Sequence, residues 1–276
     1  MASKYYSWAH GRVHYQKRGM GDPLVLVHDV YPGASHEEFS RNIDGLARRF
    51  TVYAVDLLGF GESDRPRYFY TAKTYGELIF DFLREEIGGS AYVMASGLSA
   101  GYAAMGVEWE DEWYRKLVLV SPRTEPMGWD GPRWMAALRR RLLTMGAGEY
   151  ELATEEFSMR TFLQERLFHP KEATAERVQQ MREYARRPGS AYPWASWLTR
   201  YLDGDLLGVL ARVQVPVLAV WGKQSQATPV TDRVTSAARR GHMEVIDQAG
   251  TWVQLEQSAK VNALVGDYLE GTPFAA

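Results

Sequence analysis

Six short β-branched runs punctuate the chain: Leu24–Val27, Thr51–Val55, Ala91–Ala95, Leu117–Val120, Val217–Val220 and Met243–Ile246. Most are continuous apolar stretches, as strands buried on both faces of a parallel sheet require. Helical patterns lie between them, among them Glu37–Phe50, Thr74–Ile87 and Ser258–Leu269. Parallel neighbours cannot be joined by a tight turn, so each pair needs a crossover, and crossovers are right-handed. The alternation therefore confines the chain to an α/β sheet. Tyr5–Lys17, followed by Gly19, Gly21 and Pro23, reads as a hairpin leading into the first parallel strand. One stretch breaks the rhythm. Residues 125–207 contain no buried-strand run, only helical patterns interrupted by Gly146, Gly148, Pro170, Pro188 and Gly189. The expected division is a sheet core, 1–124 and 208–276, with a helical cap of residues 125–207.

The strand Ala91–Ser96 runs into Gly97-Leu98-Ser99-Ala100-Gly101, and Tyr102–Val107 then reads as helix. This is G-x-S-x-G in strand–turn–helix context, where small flanking residues let a tight turn lift a serine hydroxyl out of the sheet. Here the chain resembles the α/β-hydrolase fold superfamily, over almost its full length. Leu24-Val25-Leu26-Val27-His28 is similar to the family's third strand, and Ala54 through Pro66 to the segment containing and following the fourth. Val215 through Gly222 resembles the strand before the catalytic acid, and Ala249 through Glu256 the histidine loop. The resemblance implies a mostly parallel twisted sheet flanked by helices, with a helical cap insertion. It also implies Ser99 as the residue at the nucleophile elbow.

The same resemblance exposes departures. The family's histidine is expected after Gly250, where this chain has Thr251, and a threonine hydroxyl is no base near pH 7. The acid is expected after Gly222, where the chain reads Lys223-Gln224-Ser225-Gln226. The His-Gly that normally shapes the oxyanion hole is His28-Asp29, followed by Val30 and Tyr31. An anionic Asp29 facing the hole would oppose the charge that acyl transfer develops there. Of the six histidines, His10, His14 and His242 fall away from the elbow, and His28 is expected to brace the oxyanion loop. His36 and His169 are the candidate substitute bases, and Glu125 the candidate relocated acid.

These residues point to an enzyme whose chemistry is not acyl hydrolysis. The expected reaction is general acid/base work of lyase, isomerase or cyclase type on a largely apolar small molecule, a biosynthetic intermediate for example. Asp29 and Ser99 are the expected catalytic residues. The floor of the pocket is expected at Val30, Tyr31, Ala100, Thr251 and Trp252, and its roof at Trp129, Trp134, Trp194 and Trp197. Two alternatives stay open: a binding-only relative, and a serine hydrolase with a substitute base.

Composition removes other classes. With no cysteine there is no disulfide, thiolate metal site or cysteine nucleophile. No His/carboxylate spacing suggests a metal, and no glycine-rich fingerprint follows the first strand, so no cofactor is expected. A net charge of −2 gives no footprint for nucleic acid or an anionic membrane. The opening MASKYYSWAH has no basic segment leading into an apolar core, and a cytoplasmic protein is expected.

Overall fold

A computed structural model describes residues 2–124, 135, 148–225 and 231–271. Eight strands form one sheet in the order β1-β2-β4-β3-β5-β6-β7-β8. They are β1 (Ala2–Trp8), β2 (Gly11–Arg18), β3 (Pro23–Val27), β4 (Thr51–Val55), β5 (Ala91–Ser96), β6 (Tyr114–Val120), β7 (Val217–Gly222) and β8 (Gly241–Ile246). The opening hairpin pairs antiparallel, β2 joins β4 antiparallel, and every later pairing is parallel. All six strand runs of the sequence thus become strands. The apolar runs Leu24–Val27, Ala91–Ala95, Leu117–Val120 and Val217–Val220 are buried throughout.

Helices α1 (Ser40–Leu46), α2 (Ala72–Asp81) and α3 (Ser99–Trp109) precede β6. A 3-10 turn, His36–Phe39, leads into α1, and a π turn, Phe82–Ile87, closes α2. Between β6 and β7 the described residues form only helices and turns: α4 (Glu149–Ala153), α5 (Glu156–Arg166), α6 (Ala175–Ala185), α7 (Ala191–Leu198) and α8 (Leu206–Leu210). After β7 come α9 (Thr231–Ala237), α10 (Val253–Glu256) and α11 (Ser258–Glu270). Among the described residues no helix is long and apolar enough to cross a membrane.

The sheet order decides the site. It puts β3 directly beside β5, with Val27 opposite Ala95. The residues that follow Val27 and Ala95, His28-Asp29 and Ser96-Gly97, therefore meet at one sheet end. This is the carboxyl end of the parallel strands, where open α/β sheets place their ligands.

Candidate functional site

The chain turns from β5 into α3 at Gly97, whose φ is +55°. Leu98 already has right-handed helical angles, and Ser99 is the first residue of α3. The apex of the elbow is therefore Gly97, two residues before the serine that the sequence reading placed there. Ser99 is fully buried, and its hydroxyl donates to the His28 carbonyl at 2.6 Å. It stitches α3 to the end of β3 and does not face a pocket. The shift has a simple source. Small residues flank the apex at two positions either side in Ala95-Ser96-Gly97-Leu98-Ser99 as well, so the spacing alone fits both frames. The strand's last residue, Ser96, was the usable signal, because the apex follows the strand directly.

Asp29 occupies the space above this apex. A Cβ built on Gly97 would lie 2.0 Å from the Asp29 Cγ, so the carboxylate fills the volume of a missing elbow side chain. Its Oδ1 accepts from Val30 N–H at 2.7 Å and from Leu98 N–H at 2.8 Å. These are the N–H that follows the oxyanion turn and the N–H that follows the apex, the pair that forms an oxyanion hole in this fold. Asp29 Oδ2 lies 3.7 Å from Arg123 Nη2, and the residue is 3% exposed.

Behind Asp29 stands a second buried carboxyl, Glu38, from the 3-10 turn. Its Oε2 accepts from Asp29 N–H at 3.0 Å and from the Tyr31 hydroxyl at 3.1 Å, and its Oε1 from Gln254 Nε2 at 2.8 Å. Burial, and then the Asp29 charge, push the Glu38 carboxyl up to about 8. Burial, with Glu38 next, also pushes the Tyr31 phenol well up, which keeps it neutral. Arg166 packs its guanidinium on the Phe162 ring at 3.5 Å from the centroid, and burial with Arg123 nearby pushes it down to about 10. Tyr31 lies between Phe162 and Trp252, at 5.3 Å and 5.2 Å between ring centroids. The gap bounded by Tyr31, Glu38, Arg177, Met181, Tyr184 and Trp252 measures about 10 Å³, room for one water at most. A larger cavity of about 780 Å³ lies apart from the elbow, between Thr71, Met105, Tyr201 and Val209.

The remaining site expectations divide. Val30 gives its N–H to Asp29, and Tyr31 and Trp252 line the small gap. Ala100 is instead fully buried in the main core. Trp194 forms a small cluster with Ala195, against which Tyr150 and Trp197 pack, and Trp197 packs against the main core too. Trp129, Trp134 and Glu125 lie outside the described residues. Thr251 Oγ1 is 3.1 Å from Ser225 Oγ, its N–H donates to the Arg166 carbonyl and its carbonyl accepts from Ser121. Hydroxyls thus fill the positions where the resemblance implied an imidazole and an acid. Gln224 ties the loop after β7 to Ala249 and Asp247.

The candidate bases lie elsewhere. His28 is buried, and burial pushes its pKa down; Nδ1 faces the Asp29 carbonyl while Nε2 accepts from Leu57 N–H. His169 gives its backbone N–H to Glu256. His36 belongs to a buried trio with His14 and Asp56, the one group of metal-ligating types clustered among the described residues. Each imidazole Nδ1 faces one Asp56 oxygen, at 2.7 Å and 2.9 Å, and the N–H groups of His36 and Glu62 donate to the same carboxylate. Within it Asp56 and His36 make a buried ion pair. Glu38, Gln254, Arg123, Arg166 and Gly97 were missed from sequence. Apart from Gly97, none stands in a motif, and only the packing of distant segments brings them together.

Residues 24–264 match the sequence profile of the Alpha/beta hydrolase family. The chain is similar to 2-hydroxymuconate semialdehyde hydrolase from Pseudomonas sp. (strain CF600), 27% identical over 288 residues covering 96% of this chain and 93% of the relative. In structure it is similar to a meta-cleavage product hydrolase from Pseudomonas fluorescens IP01, with a TM-score of 0.81, 21% identity and 98% of each chain covered. It is also similar to the epoxide hydrolase CorEH, with a TM-score of 0.80, 20% identity and 99% of each chain covered. These full-length likenesses overturn the expected lyase, isomerase or cyclase chemistry, because the relatives are hydrolases.

Proposed function

Because the chain belongs to the α/β hydrolase family, we propose that it is a hydrolase in which the Asp29 carboxylate takes the place of the elbow serine. One observation carries the reading: Asp29 Oδ1 accepts both N–H groups of the oxyanion hole while its Cγ stands where a side chain at Gly97 would start. A serine nucleophile is disfavoured, since Ser99 spends its hydroxyl on the His28 carbonyl. With Thr251 and Ser225 in place of histidine and acid, the triad is degenerate at all three positions.

The occupied hole also selects the substrate. A carbonyl oxygen undergoing acyl transfer needs those two N–H groups, and Asp29 already holds them. The remaining electrophile is a saturated carbon, as in an epoxide. Asp29 Oδ2 would form an ester bond to that carbon as the ring C–O bond breaks. Water then adds to Cγ, and the charge that develops on Oδ1 is held by Val30 and Leu98 N–H. The likeness to an epoxide hydrolase supports this class, and residues 125–207 are the proposed cap over it.

The test is a single turnover of a small aryl epoxide, styrene oxide, in ¹⁸O-water. The label is expected in Asp29 and not in the first diol released, and Asp29→Asn is expected to abolish turnover. Label appearing wholly in that first diol, with Asp29→Asn unimpaired, would remove the reading. A binding-only role is the second reading, favoured by the hydroxyls of Thr251 and Ser225 standing where a base and an acid were expected. It predicts no turnover and no adduct with any epoxide.

A further inference from the structure

A covalent ester on Asp29 has to be cleaved by water, and water at neutral pH needs a base. The family's base position is Thr251, which cannot serve. The groups packed around the Asp29–Glu38 pair are few. Tyr31 comes from the same loop, Ser96 from the end of β5, Gln254 from α10, and Arg177 from α6 across the small gap, while Arg123 stands 3.7 Å from the Asp29 carboxylate with Arg166 nearby. None of these is a further carboxyl, and of the two hydroxyls that Glu38 bonds, Ser96 and Tyr31, it is Tyr31 that lines the gap.

We propose that Glu38 and Tyr31 together replace the missing imidazole, Glu38 storing a proton and the Tyr31 hydroxyl passing it to and from the reacting oxygen. This rests on Asp29 being the nucleophile. As Asp29 Oδ2 bonds to the substrate carbon, the electron pair of the breaking C–O bond stays on the departing oxygen. That oxygen takes the Tyr31 proton while Tyr31 takes one from Glu38, which is left ionised. In the second half water adds to the Asp29 Cγ, one of its protons goes to the alkoxide leaving Cγ, and the other returns through Tyr31 to Glu38. Asp29 ends as a carboxylate and Glu38 as an acid, so both halves balance.

A further observation fits a Glu38 that holds a proton at rest. It is buried against Asp29, where two charges side by side are costly. The Gln254 Oε1 is buried without a hydrogen-bond partner, while Gln254 Nε2 faces Glu38. Donation from that amide leaves Glu38 Oε1 as an acceptor, so the stored proton belongs on Oε2, facing the Tyr31 hydroxyl. The burial that keeps Tyr31 neutral also makes the transfer concerted, because a free tyrosinate there is disfavoured.

Glu38 acts through Tyr31, so the test reads a pH profile as well as a rate. Glu38→Gln keeps the shape and the contact to Asp29 but carries no exchangeable acid proton. With styrene oxide, Glu38→Gln and Tyr31→Phe are expected to lower turnover about 100-fold. They should also abolish the alkaline limb of the rate profile and let an Asp29 adduct accumulate in intact-mass spectra. A wild-type pH profile in Glu38→Gln would overturn the proposal. So would a ¹³C-carboxyl resonance showing Glu38 ionised at pH 6.5 in the free protein, which leaves the Asp29 reading intact. If instead wild type forms no adduct and Asp29→Asn turns over normally, the Asp29 reading itself has failed and the relay falls with it.

Discussion

At the scale of single residues, Gly97 and Asp29 share one volume at the elbow. A left-handed apex tolerates glycine at no steric cost and other residues at about 1–2 kcal/mol. Here a side chain would also overlap the Asp29 carboxylate. Gly97→Ala is therefore expected to destabilise by about 3 kcal/mol or more, from backbone strain plus overlap. Asp29→Gly on that background should return all but the backbone part, so urea melts of the four-member cycle will show strong coupling. Additive single effects would mean that the carboxylate does not fill the apex. Ser99→Ala should cost about 1–2 kcal/mol, because the buried His28 carbonyl loses its hydroxyl donor. A serine-directed phosphonate should leave Ser99 unlabelled in the native protein, and rapid stoichiometric labelling would contradict its burial.

Among elements, the opening hairpin, β4 and the 3-10 turn are tied together by Asp56. This carboxylate receives His14 from β2, His36 from the turn, and the backbone of Glu62. Burial opposes a charge on His36, but Asp56 outweighs it and pushes the imidazole up from 6.5 to about 10. In return, and against its own burial, Asp56 is held well below the usual carboxylate range. On its other side His36 Nε2 faces the Glu37 carboxylate at 3.5 Å, which favours the charged imidazole as well. Turning over the Gln16 amide supplies a second acceptor and gives the orphaned Gln16 Oε1 a donor. Since the folded state binds this proton more tightly than the unfolded chain, the stabilisation is full below about pH 6.5 and is lost as pH rises towards 10. Denaturant melts should show stability falling across that window, and His36→Asn should flatten the fall. An unchanged slope in His36→Asn would show that the imidazole is not charged in the folded protein.

For the whole molecule, the sheet order sets a gradient of protection. The wholly buried β5 and β7 flank β6, whereas β8 is an edge strand with most of its residues partly exposed. Amide exchange should therefore release β8 first, with β5 and β7 exchanging only through global unfolding. Equal protection of β8 and β5 would count against this ordering. The same architecture separates what the chain announces from what folding decides. Each strand is a local apolar run whose burial on both faces leaves a mark in the sequence, so Leu24–Val27 or Val217–Val220 can be read without knowing their neighbours. The helical character of the described residues between β6 and β7 and the threonine at position 251 are local in the same sense. The elbow frame was half legible: Ala91–Ser96 marked the strand's end, but the spacing of small residues fitted both Gly97 and Ser99. Of the Asp29–Glu38–Gln254 constellation only Asp29 was legible, because β3 lies beside β5 only by topology and Gln254 reaches Glu38 from 216 residues away along the chain. Periodicity records which face of an element meets the core. It carries nothing about which two loops that core brings face to face, and only the tertiary structure settles that.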